Sequence, residues 1–376
     1  MAHTPFWTRA GLAGCALALA ALALAHPEHG APPDHDGLGV DVQVRTGNGA
    51  NTFETVPGWG KMPDAKPLGP THGGIALDKE GRIYLSTDSD RAICVFEPDG
   101  TFLRSIALDC KGVHSLSIRE EGGREYLYGA HLAGNRIVKL DLDGKVVLQI
   151  PNESTGEVPG GWNGLTAVTV APDGSIFAAM GYGSNLMHKF DAGGKLLKTF
   201  GGPGKGEGQF QTCHGLAIDS RFGEPRLLVC DRENRRLVHM DLDGHFLGVY
   251  ATFLRRPCAV SIQGDLAAVA ELEGRVTIVD KNGTPVAFLG DNPDAKQWAN
   301  YGVPTDAWKE GLFTAPHGLS YDANGNLYVQ DWNATGRVTK LKKLVAEQSQ
   351  PSLASMLSFG LSVPLAVLVL VSRRRR

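Results

Sequence analysis

One segment type recurs six times along the 376-residue chain, and no other feature restricts its fold as much. A small residue or a histidine is followed by apolar residues in alternation and then by a turn. The copies are Gly73-Gly74-Ile75-Ala76-Leu77, His114-Ser115-Leu116-Ser117-Ile118, Thr166-Ala167-Val168-Thr169-Val170, His214-Gly215-Leu216-Ala217-Ile218, Cys258-Ala259-Val260-Ser261-Ile262 and His317-Gly318-Leu319-Ser320-Tyr321. Their spacing of roughly 40–60 residues is that of propeller blades. Each copy continues through a turn (Pro172-Asp173-Gly174), a second apolar run (Leu227-Leu228-Val229) and a third (Ile137 to Leu140). A further glycine turn then leads to a fourth strand, at Gly100, Gly144, Gly194, Gly244 and Gly283. Four antiparallel strands, repeated six times, predict an all-β, six-bladed β-propeller over residues 52–344. The sixth copy stops near Leu344, so a strand around Thr52 to Val56 is expected to complete it and remove the open sheet edges.

Composition agrees with this architecture. Glycine supplies 48 residues, well above the usual roughly 7%, and has no G-X-Y period that would indicate collagen. The apolar share of 42% excludes wholesale disorder, and a net charge of -3 provides no footprint for nucleic acid.

Both ends differ from the middle. Arg9 precedes an apolar run from Gly11 to Ala25 that ends Ala23-Leu24-Ala25, so residues 1–25 read as a signal peptide. Leu12-Ala13-Gly14-Cys15 looks like a lipoprotein box, but the apolar core follows Cys15 where it should precede it. Residues 26–51 are polar and read as a disordered mature N-terminus. Its histidines (His26, His29, His35) are a solvated tail or, alternatively, a weak metal scavenger. After a linker at 345–355, Met356 to Ser372 is apolar, and Arg373 to Arg376 follow. Residues 356–376 therefore read as a transmembrane helix with a basic cytoplasmic stop, leaving the propeller exported and membrane-tethered. A tail processed by a transpeptidase is the alternative. Five cysteines remain after Cys15, an odd number, so at least one thiol is left over or pairs between chains.

The repeat register carries the functional reading. The first residue of each innermost strand faces the channel mouth: Gly73, His114, Thr166, His214, Cys258 and His317. Histidine occupies alternate blades, about 120° apart in a six-fold ring, so His114, His214 and His317 converge on the axis. Three neutral imidazoles with an open position describe catalytic Zn²⁺, in preference to Fe or Cu. His72, one residue out of register, should point elsewhere. The end of each second strand returns to the same mouth, with Asp88, Leu132, Tyr182 and Arg232 in blades 1 to 4 and Glu271 and Trp332 as approximate equivalents in blades 5 and 6. Tyr182 beside a cation and a metal can have a lowered pKa and act as a base. Arg232 can hold a carboxylate. Asp88, Cys258, Glu271, Trp298, Trp308 and Trp332 are candidate substrate-binding residues. The long loops 151–164, 201–212 and 291–316 open on this mouth, the last carrying Trp298, Tyr301 and Trp308. Arg255-Arg256 adds positive charge favouring an anionic ligand, although a solvated turn accounts for that pair equally well.

Over Gly164 to Val249, Gly181-Tyr182-Gly183-Ser184-Asn185, Gly208-Gln209-Phe210, Cys213-His214-Gly215-Leu216 and Asp231-Arg232-Glu233-Asn234 follow in order. This resembles the NHL-repeat propeller of peptidyl-α-hydroxyglycine α-amidating lyase, with similarity across roughly residues 60–343. The resemblance implies Zn²⁺ on His114, His214 and His317, a catalytic Tyr182 and a supporting Arg232. The implied reaction is cleavage of a carbinolamide C–N bond, releasing glyoxylate and a peptide amide. Two positions depart from the family. Its blade-1 arginine falls at Asp88, with Arg91 close but out of register, and its aspartate for a structural Ca²⁺ is Gly318. The cysteines also miss its disulfide positions. The readings are thus a metal-dependent lyase or hydrolase acting on a small or peptide-like ligand, or a non-catalytic propeller scaffold binding a ligand or protein partner. Lactonase-like chemistry ranks last, because no Asn set accompanies Asp88 and Glu271.

Overall fold

The computed structural model describes residues 43–344, so the signal-peptide, membrane-helix and linker expectations fall outside the described residues, as does the polar N-terminus up to residue 42. Six antiparallel sheets are arranged as blades. Blade 1 comprises Ile75–Leu77, Ile83–Ser86, Ile93–Phe96 and Phe102–Ile106. The innermost strands of blades 2 to 6 are Val113–Glu121, Ala167–Val170, Cys213–Asp219, Pro257–Gln263 and Pro316–Tyr321. Each pairs with the next strand in sequence, and strand order follows the chain in every blade except the sixth, which takes strands from both ends of the propeller. No helix among the described residues is long and apolar enough to cross a membrane.

The ring closes between the two ends of the propeller. Asn51–Thr55 pairs antiparallel with Arg337–Lys343, placing Phe53 opposite Lys343 and Thr55 opposite Leu341. A fifth strand, Arg45–Asn48, then pairs with Asn51–Thr55 outside it. That strand lies in the segment read from sequence as a polar tail. Its side chains are mostly exposed, so it carries no apolar alternation that would mark it as a strand.

Propeller strands bury residues on both sheet faces, because each blade packs against two neighbours. Ile83–Ser86, Ile93–Phe96 and Ile176–Ala179 are accordingly buried at every position. The apolar side chains gather between adjacent blades. Tyr84, Val95, Val113 and Leu127 lie between blades 1 and 2, and Phe53, Ile278, Leu289 and Leu341 between blades 5 and 6. Trp59, Phe96 and Tyr328 fill the seam where the ring closes. Cys94, Cys110, Cys213, Cys230 and Cys258 are all free and buried, so the leftover-thiol expectation extends to all five: they pack as small apolar groups.

A recurrent clamp ties blades 4, 5 and 6 to the loops entering them. At the end of the second strand, Asp231 accepts from Gln211 N at 2.7 Å and from Arg236 Nε at 2.7 Å. Asp331 accepts from Ala315 N at 2.7 Å and faces Arg337. Glu271 does the same with Arg255 N, Arg275 and Thr277.

Candidate metal centre

A second recurrent hydrogen bond fixes which residues face the mouth. Tyr182 N–H donates to Gly164 O, Arg232 N–H to Thr212 O, Leu272 N–H to Arg256 O, and Trp332 N–H to Ala315 O, at 2.8–3.0 Å. Two residues beyond each acceptor stand Thr166, His214, Cys258 and His317. In blade 1 the same bond joins Asp88 N–H to Pro70 O at 2.8 Å, and two residues on is His72. Counting back from the strand instead gives Gly73, because blade 1 holds one more residue between the bond and its strand. Gly73 takes up that residue at φ 100°, a conformation that glycine reaches without strain. His72 therefore does not point elsewhere: its ring centroid lies 5.1 Å from His114 and 5.6 Å from His317. The same register corrects Glu271. Its blade-5 counterpart at the mouth is Leu272, and Glu271 belongs to the structural clamp.

His114, His214 and His317 are buried and come together, with one potential ligand nitrogen from each within 4.8 Å of the others. Ring centroids are 4.5–5.0 Å apart. His114 Nδ1 lies 2.6 Å from Thr166 O and His214 Nδ1 lies 2.8 Å from Cys258 O. A carbonyl only accepts, so both Nδ1 atoms carry the proton, and both Nε2 atoms present a lone pair to the axis. Thr166 and Cys258 thus orient the histidines of the preceding blades through their backbone. Burial, then Arg232 and His114, hold His214 well below the usual histidine range; burial, then His214 and His114, do the same for His317. The neutral imidazole is the ligating form, so the group fits a Zn²⁺-type ion. His317 Nδ1, buried and without a hydrogen-bond partner among the described residues, is the orphaned polar atom of the cluster.

Calcium does not fit the position that the resemblance implies. A Cβ added at Gly318 would sit 1.7 Å from Gly73 O, so the extra residue of blade 1 excludes any side chain there.

Tyr182 bridges the cluster. Its hydroxyl lies 2.9 Å from His214 Nε2 and 3.2 Å from His114 Nε2, and Arg232 Nη1 donates to it at 3.2 Å. Arg232 also stacks over the phenol ring at 5.2 Å and pairs with Glu233 at 2.9 Å. Burial pushes the Tyr182 phenol above its ordinary value, and Arg232 opposes this without reversing it, so the lowered pKa expected from the arginine is not present in the protein alone. Cys258 lies beside this pair. Burial pushes its thiol up to about 11 against the pull of Arg232 and Arg256, so it is a protonated wall.

The remaining candidates divide. Asp88 accepts from His72 at 2.9 Å on the rim of the cluster. Trp332 lies 6.3 Å from His72 and 6.5 Å from His317. Trp298 donates to Asn292 O and lies under Arg255, so it props the loop. Trp308 donates to Val303 O and lines a separate cavity of about 450 Å³ with Trp59, Lys61 and Leu68. Arg255 is paired with Asp291 at 2.7 Å and Arg256 with Glu233 at 2.6 Å, so the positive charge expected there is neutralised. Tyr301, noted in sequence only as a loop aromatic, packs on Trp332 at 4.9 Å and joins the rim.

No family model matches the chain. Peptidylglycine alpha-amidating monooxygenase of Rattus norvegicus is 25% identical over 231 residues, covering 58% of this chain and 22% of that protein. The corresponding protein of Mus musculus is 27% identical over 176 residues, covering 44% and 17%. The chain thus spans about a fifth of the length of the curated relatives it matches. Among solved structures, a gluconolactonase of Xanthomonas campestris superposes with TM-score 0.56 at 13% identity, covering 81% of this chain and 96% of that one. A streptogramin B lyase superposes with TM-score 0.51 at 16% identity, covering 73% and 94%. These structures share the fold. With three buried imidazoles at its mouth, the chain is a six-bladed β-propeller that resembles part of the peptidylglycine α-amidating monooxygenases.

Proposed function

We propose that the protein is a metal-dependent lyase that breaks the C–N bond of a carbinolamide at the propeller mouth. The observation that carries this reading is the convergence of His114, His214 and His317 with the Tyr182–Arg232 pair. The three histidines would hold the ion, taken as Zn²⁺ from the neutral nitrogen donors, which when bound supplies Lewis-acid polarisation of a substrate hydroxyl and favours the phenolate of a neighbouring tyrosine. Tyr182 stands where it can take the hydroxyl proton, and Arg232 stabilises the negative charge on its oxygen. The O–H electron pair becomes the new C=O bond, the C–N pair leaves on nitrogen, and nitrogen receives the proton. An aldehyde and an amide result. The relatives are named for amidation, and an amide is one product of this reaction. The proposal also places the propeller outside the membrane, on the strength of segments 1–25 and 356–376. Protease added to intact cells should then digest the propeller and spare the basic tail.

Metal analysis of the purified full chain tests the centre. About one equivalent of zinc, lost in His214→Ala, is expected; no metal in either protein retires the reading. Glyoxylate release from an α-hydroxyglycine peptide tests the reaction, and its absence from a zinc-loaded protein would remove the lyase assignment while leaving the metal site standing.

A further inference from the structure

The rim of the cluster between blades 1 and 6 has its own chemistry. Asp88 holds the same place in blade 1 as Tyr182 and Arg232 hold in blades 3 and 4, shown by the shared backbone bond. Mouth-side carboxylates elsewhere are matched to guanidinium groups: Glu233 to Arg232 and Arg256, Glu273 to Arg235, and Asp291 to Arg255. Asp88 has no Lys or Arg partner among the described residues; its one ion-pair contact is His72 Nδ1. Its side chain is 18% exposed, so it is reachable from the mouth. Aromatic rings extend from its partner His72. His72 lies 6.3 Å from Trp332, and Trp332 lies 4.9 Å from Tyr301. Tyr301 feels the carboxylate: burial and then Asp88 push its phenol up to about 12. Tyr301 is held in place by Ala334 N–H donating to its backbone oxygen at 3.0 Å.

A carboxylate without a Lys or Arg partner, close to aromatic rings, is the recognition chemistry of an organic cation. We propose that Asp88, His72, Tyr301 and Trp332 form a subsite for a primary ammonium group of the substrate, on the opposite flank of His114 from Tyr182. This deepens the lyase reading and rests on it for the identity of the ligand as substrate. A substrate would lie across the histidine cluster with its reacting hydroxyl toward Tyr182 and Arg232 and its cationic end toward Asp88. A carboxylate at that end is repelled. The extra residue at Gly73 is what brings the His72 imidazole onto this rim.

Selectivity between two matched probes tests the subsite without relying on metal or turnover. Binding of n-butylammonium and of butyrate to the purified full chain is measured by ligand-observed saturation-transfer NMR and titration. The wild type is expected to bind the ammonium at least tenfold more tightly than the carboxylate. Asp88→Asn should abolish that preference, Asp88→Glu should keep it, and Trp332→Leu should weaken ammonium binding several-fold without creating carboxylate binding. Butyrate bound as well as butylammonium, binding of neither probe, or a preference that survives Asp88→Asn would overturn the proposal. Failure of the metal or glyoxylate measurements would count against the lyase reading alone, since neither probe depends on them.

Discussion

At the scale of single residues, the centre depends on imidazoles kept neutral and aimed. Each Nδ1–H of His114 and His214 is committed to a backbone oxygen of the next blade, which leaves Nε2 for a ligand. Tyr182→Phe removes the proposed base and the contact to both Nε2 atoms. We expect bound zinc to be retained and kcat to fall by roughly 10²–10⁴, measured by metal analysis alongside the glyoxylate assay. Gly318→Ala should act in another way, because its Cβ would collide with Gly73 O. A loss of roughly 1–3 kcal/mol or more in chemical denaturation is expected, with metal affinity falling as His317 is displaced; wild-type stability in that variant would refute the close approach. His188 is a pH probe away from the site. It is fully buried, Nδ1 meets Thr199 Oγ1 at 2.9 Å, Nε2 has no hydrogen-bond partner among the described residues, and burial lowers its pKa to about 4. The unfolded chain therefore binds this proton first. Its contribution is intact above about pH 6.5 and is lost as the pH falls toward 4, by roughly 3 kcal/mol in total. His188→Gln should flatten that part of the stability–pH curve, and an unchanged curve would show that the ring is hydrated in the folded state.

At the scale of elements, the repeated clamp separates framework from chemistry. Asp231, Glu271 and Asp331 close the second strand of blades 4, 5 and 6 onto the entering loop and onto Arg236, Arg275 and Arg337. Burial raises the pKa of all three carboxyls, against the pull of their hydrogen-bond partners. Glu271→Ala leaves Arg275 buried without its counter-charge, a change that costs about 3–5 kcal/mol. Denaturation should report that loss while the metal content of the purified chain matches the wild type; loss of bound metal with unchanged stability would return Glu271 to the mouth. From sequence, Glu271 and Arg232 looked equivalent because turn lengths differ between blades. The hydrogen bond from Leu272 N–H to Arg256 O resolves the one-residue ambiguity, and in a strand one residue is the difference between two faces.

At the scale of the whole molecule, closure is the cooperative event. Phe53 is fully buried between blades 5 and 6, on a strand contributed from the far end of the propeller. Phe53→Ala should cost about 3–5 kcal/mol by the usual large-to-small penalty, and it should broaden unfolding by letting blade 6 open first; a sharp two-state transition at wild-type midpoint would contradict the closure. Blade number, ring closure and the alternation of His114, His214 and His317 were legible in the amino-acid sequence, because strand period and turn glycines are local properties that repeat. Tyr182 and Arg232 were legible for the same reason: their blades match closely in length. Asp88 was placed at the mouth by the same register, but that His72 and Tyr301 join it there emerged from the folded ring alone. Their meeting depends on one additional residue at Gly73 and on the path of the loop over 291–316, and neither leaves a periodic trace. The tertiary structure also decided that Arg255 and Arg256 are neutralised and that Trp308 faces a different cavity. Such pairings join residues far apart in the chain, so they exist only once the ring has brought the blades around one axis.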